Sequence, residues 1–296
     1  MYRQVFYTLD KLYKDADWNK HKDKFVIPLG VDYSNADFNL FGDLANYFNV
    51  TVLGATGSGK TTFLNGAVTT LLRIKKPEEL KLILIDGKTV DLGVYEGIPH
   101  LQFPIIRDAD TAKEALLWCE KEMERRSELM EKAHFVMIEQ YNNQTDEKLP
   151  RIFIGIDECS GIVVHDVEFF TNSIEKICLT GNALGFNVMI NTSRPGPEEV
   201  YPKRLISCFS HVVALSMASR ENSMHVLHEH GAEELLNSGE MLYKQYKFVY
   251  DPDMRRIRVT ESGNPLRHIQ GYGITDEEVA EVVDKLKKGE EVSVGV

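Results

Sequence analysis

Short apolar runs alternate with longer amphipathic segments along the chain from Phe25 onward. Runs of this length that carry few polar residues are typical of strands buried on both faces. Amphipathic segments between such strands indicate helices that cover a parallel sheet. The pattern therefore predicts an α/β fold with a mostly parallel central sheet flanked by helices. The predicted strands are Asn49–Leu53, Leu82–Ile85, Ile152–Ile156, Asn187–Ile190 and His211–Leu215.

Helical periodicity predicts the elements between and around these strands. Apolar side chains from Tyr2 to Tyr13 fall on one face and predict a short N-terminal helix, followed by a polar linker that ends near Lys24. Residues 25–290 then form one large domain, and residues 291–296 form a tail. The helices of the domain are predicted to begin near Gly59, Asp110, Val167 and Thr275.

The C-terminal region carries a different pattern, typical of a β-hairpin. Met241–Tyr250 and Arg255–Thr260 flank the turn-forming sequence Asp251-Pro252-Asp253. Between residues 244 and 258 there are five basic and two acidic residues, interleaved with aromatic ones. This hairpin is either a contact for phosphate or a partner, or an ordinary solvated hairpin.

Composition narrows the classes of protein that fit this pattern. Hydrophobic residues make up 43% of the chain and charged residues 27%, and no apolar run is long enough to cross a bilayer. The charged N-terminus lacks the features of a signal peptide, so we expect a cytoplasmic protein without membrane insertion. Cys119, Cys159, Cys178 and Cys208 show no metal-binding spacing and are expected to be reduced thiols near the core.

The formal net charge of −11 excludes a protein that coats nucleic acid with its whole surface. A basic pore within an acidic shell remains compatible with this charge. Any contact with nucleic acid must therefore come from a local excess of lysine and arginine.

Residues 54–61 read GATGSGKT and match the phosphate-loop pattern G-x-x-x-x-G-K-[ST] between a predicted strand and a predicted helix. Glycines let backbone N–H groups surround phosphate oxygens, and the helix N-terminus adds positive potential. Lys60 is predicted to reach the β- and γ-phosphates, and the Thr61 hydroxyl to bind Mg²⁺. The predicted ATP-binding residues are Gly54, Ala55, Thr56, Gly57, Ser58, Gly59, Lys60, Thr61 and Thr62.

The apolar strand at Ile152–Ile156 ends in Asp157 and Glu158. Alone, such a pair is often only a solvated strand end, but downstream of a phosphate loop it indicates a Walker B site. Asp157 is predicted to hold Mg²⁺ through water, and Glu158 to polarise the water that attacks the γ-phosphate. Another strand ends in Asp86-Gly87-Lys88, which is either part of the same site or an ordinary turn.

Several segments together resemble the motor domain of the FtsK/SpoIIIE family of DNA translocases. They include the phosphate loop, the run LILIDGKTVDLGVYEGIPHL, the segment EMERR, Tyr141-Asn142, and the stretch from Gly231 to Tyr243. The resemblance spans roughly residues 25–288. It implies a RecA-like P-loop NTPase fold, a hexameric ring of identical subunits with ATP and Mg²⁺ at their boundaries, and double-stranded DNA in the pore.

The resemblance also implies roles for individual residues. Thr192, Ser193, Arg194 and Pro195 match a family motif whose polar residue senses the γ-phosphate. Ser193 stands where glutamine is usual, so Thr192 is expected to share this task. Arg194 and Arg220 match positions that line the pore and contact the DNA backbone, unless they are ordinary surface charges.

Two departures from the family pattern concern the neighbouring subunit and the hairpin. Asn182 stands where the family usually has an arginine that reaches the neighbour's ATP, so either hydrolysis is slow or another arginine, such as Arg204, replaces it. Residues 244–262 form an apparent insertion. Membrane helices and a small DNA-reading domain have no counterpart here, so we expect either a stand-alone translocase of a plasmid, phage or conjugative element, or a motor excised from a longer protein.

Two other functions remain open at this point. One is a protein-transport ATPase like those of type VII secretion systems. Such an ATPase acts beside a membrane, and a membrane-bound partner of this chain is compatible with that function. The other is an ATP-gated assembly protein with weak hydrolysis, suggested by Asn182 and Ser193.

Overall fold

The computed structural model describes residues 7–194, 201–236, 238–251, 256–261 and 263–292. The strands in these ranges are β1 (Val26–Asp32), β2 (Asn35–Asp43), β3 (Val50–Leu53), β4 (Leu80–Asp86), β5 (Arg151–Asp157), β6 (Phe186–Thr192), β7 (His211–Leu215), β8 (Glu240–Asp251), β9 (Arg256–Glu261) and β10 (Arg267–Gln270). The α-helices are α1 (Leu9–Tyr13), α2 (Lys60–Ile74), α3 (Ala109–Lys132), α4 (Ile138–Gln144), α5 (Ser160–Val163), α6 (Val167–Lys176), α7 (Lys203–Ile206), α8 (Arg220–Leu227) and α9 (Asp276–Lys287).

The strands form one sheet in the order β2-β1-β10-β8-β7-β3-β6-β5-β4, and β9 pairs with β8 beside this path. Strands β7, β3, β6, β5 and β4 run parallel to one another. They are the five strands expected from the apolar runs, and β4, β5 and β6 extend beyond the predicted bounds. The predicted parallel core is therefore confirmed.

The other side of the sheet is antiparallel and was largely not predicted. Strand β8 pairs with β7, β10 with β8, β1 with β10, and β2 with β1. The predicted hairpin is present as β8 and β9, and its turn at residues 252–255 lies outside the described residues. Because β8 runs against β7, β8 begins and β10 ends at the edge of the sheet where the parallel strands end.

Helices cover both faces of the parallel core. Side chains of α2 and α9 form one hydrophobic cluster with one face of the sheet, and side chains of α3, α6 and α8 form another cluster on the opposite face. Strand β5 shows the alternation that this arrangement requires, because Phe153 belongs to the first cluster and Ile152 and Ile154 to the second. Both faces of β5 are buried, which explains why its sequence is almost uniformly apolar.

Local capping fixes where the main helices start. Asp108 accepts a hydrogen bond from the Thr111 amide at the start of α3. Thr275 and Glu278 form a reciprocal capping box at the start of α9. Both helices begin within one residue of the predicted positions.

The N-terminal segment packs on this domain. The Tyr13 and Thr70 hydroxyl groups are 2.8 Å apart and hydrogen-bonded, and Trp18 is buried beside Tyr13. Residues 1–6, which carry part of the predicted helix, lie outside the described residues. The four cysteines are free thiols and are buried, as expected. None of the helices in the described ranges has both the length and the apolar character needed to cross a bilayer.

Candidate active site

The phosphate loop connects β3 to α2 at the edge where the parallel strands end. The Ala55 amide donates to the Ser216 carbonyl (2.7 Å), and the Gly54 amide donates to the Thr192 carbonyl (3.3 Å). These bonds anchor the start of the loop between the ends of β6 and β7. Gly59 has a φ of 109°, which favours glycine at the residue preceding α2. Thr56 and Thr62 are exposed along this loop and the first turn of α2.

Lys60 is buried beneath the loop. Its Nζ donates to the carbonyl oxygens of Gly54 and Ala55, both at 2.9 Å. Burial lowers the pKa of Lys60, although the carboxylates of Glu158 and Asp157 act in the opposite direction. The ammonium group is thus held by two carbonyl oxygens that a phosphate oxygen can replace as partners.

Asp157 lies directly beside the phosphate loop. The Thr61 hydroxyl donates to Asp157 Oδ2 at 2.9 Å, and the Asn191 side-chain amide donates to Asp157 Oδ1 at 3.1 Å. Burial raises the pKa of Asp157, while the charge of Lys88 and the two donors oppose this shift. The two predicted metal-binding side chains, Thr61 and Asp157, are therefore in contact.

Asn191 was not singled out by the sequence reasoning, although it completes this arrangement. Its side-chain amide also donates to the Lys60 carbonyl at 3.0 Å. It is fully buried and lies one residue before Thr192 on β6. The available signal was a polar residue at the end of an apolar strand that neighbours the strand of the acid pair.

Glu158 is held by donors from β6 and from the start of α5. It accepts hydrogen bonds from the Ser160 hydroxyl (2.7 Å), the Thr192 hydroxyl (3.0 Å) and the Ser193 amide (3.0 Å). Burial acts to raise the pKa of Glu158, but these donors outweigh it and lower the pKa below its ordinary value. The carboxylate is consequently ionised at neutral pH, as a proton acceptor must be.

Thr192 and Ser193, which were predicted to sense the γ-phosphate, thus contact Glu158. The Arg194 amide in turn donates to Thr192 Oγ1 at 3.2 Å. Through Thr192, the backbone of Arg194 is two hydrogen bonds away from Glu158. Pro195, the last residue of this motif, lies outside the described residues.

The turn after β4 also belongs to this site. The Gly87 amide donates to the Asp157 carbonyl at 2.9 Å, and a Cβ atom at Gly87 would lie 2.0 Å from the Glu158 carbonyl oxygen. Lys88 forms an ion pair with Asp91 (3.3 Å). Burial acts to lower the pKa of Lys88, but the charges of Asp157 and Asp91 outweigh this effect and raise the pKa. Asp86 instead accepts from the amides of Lys88 and Leu92, which is a turn-forming role.

The residues at this edge fit a magnesium–nucleotide complex. The Thr61 hydroxyl and the Asp157 carboxylate supply hard oxygen ligands of the kind that Mg²⁺ prefers. Among the described residues, the Ser58 hydroxyl and the Asn191 Oδ1 are buried without a hydrogen-bond partner, so unused polar atoms lie in the loop and beside Asp157.

The arginines named from the sequence occupy different environments. Arg194 and Arg220 are exposed, after β6 and at the start of α8, so they lie on either side of the phosphate loop at the same edge of the sheet. Arg204 forms an ion pair with Glu175. Asn182 is fully buried, with its amide donating to the Leu44 carbonyl (2.8 Å) and its oxygen accepting from the Tyr47 amide (3.2 Å).

Comparisons with solved structures support the fold. The conjugation coupling protein TcpA of pCW3, solved in its monomer form with ATPγS, is 20% identical, with a TM-score of 0.75 over 95% of this chain and 74% of that chain. The cytoplasmic domain of the type VII secretion ATPase EccC from Thermomonospora curvata is also 20% identical, with a TM-score of 0.71 over 99% of this chain and 36% of that chain. At these identities the similarity establishes the fold alone.

Sequence comparison establishes the family. The FtsK/SpoIIIE family model matches residues 8–238. The DNA translocase FtsK of Borreliella burgdorferi is 32% identical over 286 residues, which cover 92% of this chain and 33% of the relative. The DNA translocase FtsK of Oceanobacillus iheyensis is 32% identical over 283 residues, which cover 91% of this chain and 34% of the relative. This chain spans about a third of the length of these relatives. The chain belongs to the FtsK/SpoIIIE family of P-loop ATPases.

Proposed function

We propose that this chain hydrolyses ATP with Mg²⁺ to move double-stranded DNA, as one subunit of a homo-oligomeric, hexameric ring in the cytoplasm. The phosphate loop, the acid pair and the relatives named as DNA translocases support this function. The observation that carries it is the short hydrogen-bonded path from Arg194 to Glu158. This path joins a predicted DNA contact to the predicted catalytic carboxylate.

Each side chain of the site has a task in this reaction. Lys60 would exchange its carbonyl partners for β- and γ-phosphate oxygens, and Thr61 and Asp157 would hold the magnesium ion. When bound, magnesium would neutralise charge on the β- and γ-phosphates. Glu158, kept ionised by its donors, would accept the proton of the attacking water. Thr192 and Ser193 would set the direction in which that carboxylate points.

The path through Thr192 offers a way to couple DNA contact to hydrolysis. A phosphate bound by the exposed Arg194 side chain would pull on a backbone whose amide donates to Thr192. Thr192 would pass a shift of this amide to Glu158, because its hydroxyl donates to the carboxylate. Such coupling would make hydrolysis depend on DNA, which a translocase requires.

Arg220 and Lys203 supply the local positive charge that DNA contact needs. Arg220 lines a surface cavity of about 420 Å³ together with Lys203 and the histidines at positions 225, 228 and 230. Glu221 is the one acidic residue among its lining residues in the described part of the chain. Basic side chains around an open depression suit sequence-independent contact with the phosphate backbone, despite the net negative charge of the chain.

Protein transport is the second candidate function. The fold shared with EccC is compatible with it, and the same ATP site would serve both activities. An assembly protein with weak hydrolysis is the third, since Asn182 is buried and does not offer a charge to a neighbouring subunit. The three candidates differ in what stimulates ATP turnover.

The deciding experiment measures the ATPase rate of the chain with magnesium, alone and with long duplex DNA. Stimulation of at least tenfold by DNA, with displacement of a triplex-forming strand, is the expected result. Stimulation by a substrate's C-terminal peptide but not by DNA would indicate protein transport instead. Intact ATP binding with negligible turnover under all conditions would indicate the assembly protein. Native mass spectrometry with ATP and DNA tests the proposed six-subunit ring.

A further inference from the structure

The acid pair lies on one side of the phosphate loop, which gives a bound nucleotide a direction. Strand β5, with Asp157 at its end, is two strands away from β3 on the side of β6. Thr61 and Lys60 bind the β- and γ-phosphate end of a triphosphate in such loops. The sugar and base must therefore extend toward the opposite side, where β7, β8 and β10 end or begin.

The antiparallel half of the sheet contacts the phosphate loop on that side. The Gly239 amide donates to the Ser58 carbonyl at 3.1 Å. The Gly271 amide donates to the Gly239 carbonyl at 2.8 Å, and the Gln270 side-chain amide donates to the Ser238 carbonyl at 3.2 Å. The start of β8 and the end of β10, together with the segment that follows β7, thus lie beside the phosphate loop on the side toward which a nucleoside would extend.

Gln270 has unused hydrogen-bonding capacity at this place. Its Nε2 donates to the Ser238 carbonyl, and its Oε1 accepts from the Tyr33 hydroxyl at 3.0 Å. A side-chain amide has two N–H donors and two oxygen lone pairs, so one donor and one acceptor are left when the partners within the described residues are counted. Gln270 is only half-buried, so these groups are accessible to a ligand.

Tyr33 fixes the orientation of Gln270. Its ring stacks on His268, with 4.3 Å between ring centroids and an interplanar angle of 29°. His268 is in turn hydrogen-bonded to Glu240 at 2.8 Å. The Ser238 carbonyl can only accept, so the amide nitrogen must face Ser238, and the Tyr33 hydroxyl then donates to the oxygen that this orientation presents.

We propose that Gln270 recognises the adenine base of ATP, and that Tyr33 is the residue that positions it. A side-chain amide can donate to N7 and accept from the N6 amino group of adenine. The proposal rests on nucleotide binding at the phosphate loop and is independent of DNA movement. It assigns to the antiparallel strands β8 and β10 the task of selecting the nucleotide.

Isothermal titration of ATP and of inorganic tripolyphosphate, both with Mg²⁺, tests this site. Tripolyphosphate has no base, so its affinity reports the phosphate loop alone. Gln270→Ala is expected to weaken ATP binding about tenfold, as the loss of one or two hydrogen bonds predicts, and to leave tripolyphosphate binding within about twofold of the unchanged protein. The matched control is Gln245→Ala, a glutamine at the other end of the β7–β8 pairing, which should change neither affinity.

Two results would overturn the proposal. If Gln270→Ala weakens the binding of ATP and of tripolyphosphate equally, Gln270 only supports the phosphate loop through Ser238. If the affinity for ATP is unchanged, Gln270 does not contact the base. Tyr33→Phe keeps the half-exposed ring and removes the hydroxyl, so it decides the question if Gln270→Ala does not fold. An unchanged ratio of ATP to tripolyphosphate affinity in Tyr33→Phe would then contradict the proposal. Failure of the unsubstituted protein to bind tripolyphosphate would instead refute the phosphate-loop assignment.

Discussion

Thr61 and Asp157 are 96 residues apart in sequence, and the hydroxyl of the first donates a 2.9 Å hydrogen bond to the carboxylate of the second. This contact exists because β3 and β5 run parallel and end at the same edge of the sheet. It joins the phosphate loop and the acid pair into one site.

Lys60→Ala is expected to weaken ATP binding at least tenfold, because it removes the buried ammonium group that would contact the β- and γ-phosphates. Isothermal titration with ATP and Mg²⁺ measures the effect. Lys14→Ala, an exposed residue directly after α1, is the control, and its affinity for ATP should equal that of the unchanged protein. Equal affinities for Lys60→Ala and this control would refute the role of Lys60.

Glu158→Gln is expected to retain ATP binding while reducing turnover by about 100-fold or more, since an amide cannot accept the proton of the attacking water. Glu281→Gln on the surface of α9 should leave turnover unchanged. A rapid-quench measurement should show ATP remaining uncleaved on the Glu158→Gln protein. Turnover near that of the Glu281→Gln control would assign the base to another group.

Thr192→Val is expected to move the acid limb of the turnover–pH profile to higher pH. The substitution removes a donor to Glu158, and its loss raises the pKa of that carboxyl, so the active ionised form is lost at a higher pH. Thr171→Val is the matched control, since the Thr171 hydroxyl is buried and makes no hydrogen bond within the described residues. A slower rate with an unmoved acid limb would show that Thr192 does not act through Glu158.

Replacing Arg194 and Arg220 together with alanine is expected to weaken the binding of duplex DNA of any sequence. The slope of log affinity against log salt concentration should fall in magnitude by about two, because two phosphates are no longer neutralised by an arginine. Fluorescence anisotropy at several salt concentrations measures this slope. Arg125→Ala on α3 serves as the control, and an unaltered slope in the double variant would place DNA binding elsewhere.

Acid is expected to destabilise the fold through His211. Burial lowers the pKa of His211 to about 3, whereas its ordinary value is 6.5. Between these values the unfolded chain binds a proton that the folded chain does not, so stability is complete above pH 6.5 and falls as the pH drops toward 3. The expected slope is up to about 1.4 kcal/mol per pH unit for this group.

Urea denaturation between about pH 7.5 and 5 measures this loss of stability. His211→Phe keeps an aromatic ring next to Phe48 and Tyr243 but cannot titrate, so its free energy of unfolding should depend less on pH. Identical pH slopes for the variant and the unchanged protein would contradict the assignment.

The parallel core and the ATP site were predictable from sequence because both have local signals. The strands that end at Leu53 and Asp157 are buried on both faces, so their apolar runs are conspicuous. The phosphate loop and the acid pair each follow such a strand directly. Because parallel strands end at the same edge of a sheet, the phosphate loop and the acid pair could then be predicted to lie close together.

The antiparallel half of the sheet and the residues that surround Asp157 could not be predicted in this way. Strand β1 contains Pro28 and Gly30, which weaken a strand pattern, and β10 is only four residues long. Their pairing with β8 depends on contacts between distant segments. Asn191 donates to Asp157 from the neighbouring strand and was not singled out from the sequence, and the sequence left open whether Lys88 belongs to the site or to an ordinary turn.

The burial of Asn182 has a practical consequence for protein engineering. Its side chain joins the 3₁₀ turn at Asn182–Leu184 to the segment that precedes β3, through Leu44 and Tyr47. Asn182→Arg would remove these bonds and force a guanidinium group into a dry interior without a counter-ion, at a cost of several kcal/mol. In the proposed ring, an arginine that is meant to speed ATP hydrolysis in the neighbouring subunit must therefore be introduced on an exposed loop and not at position 182.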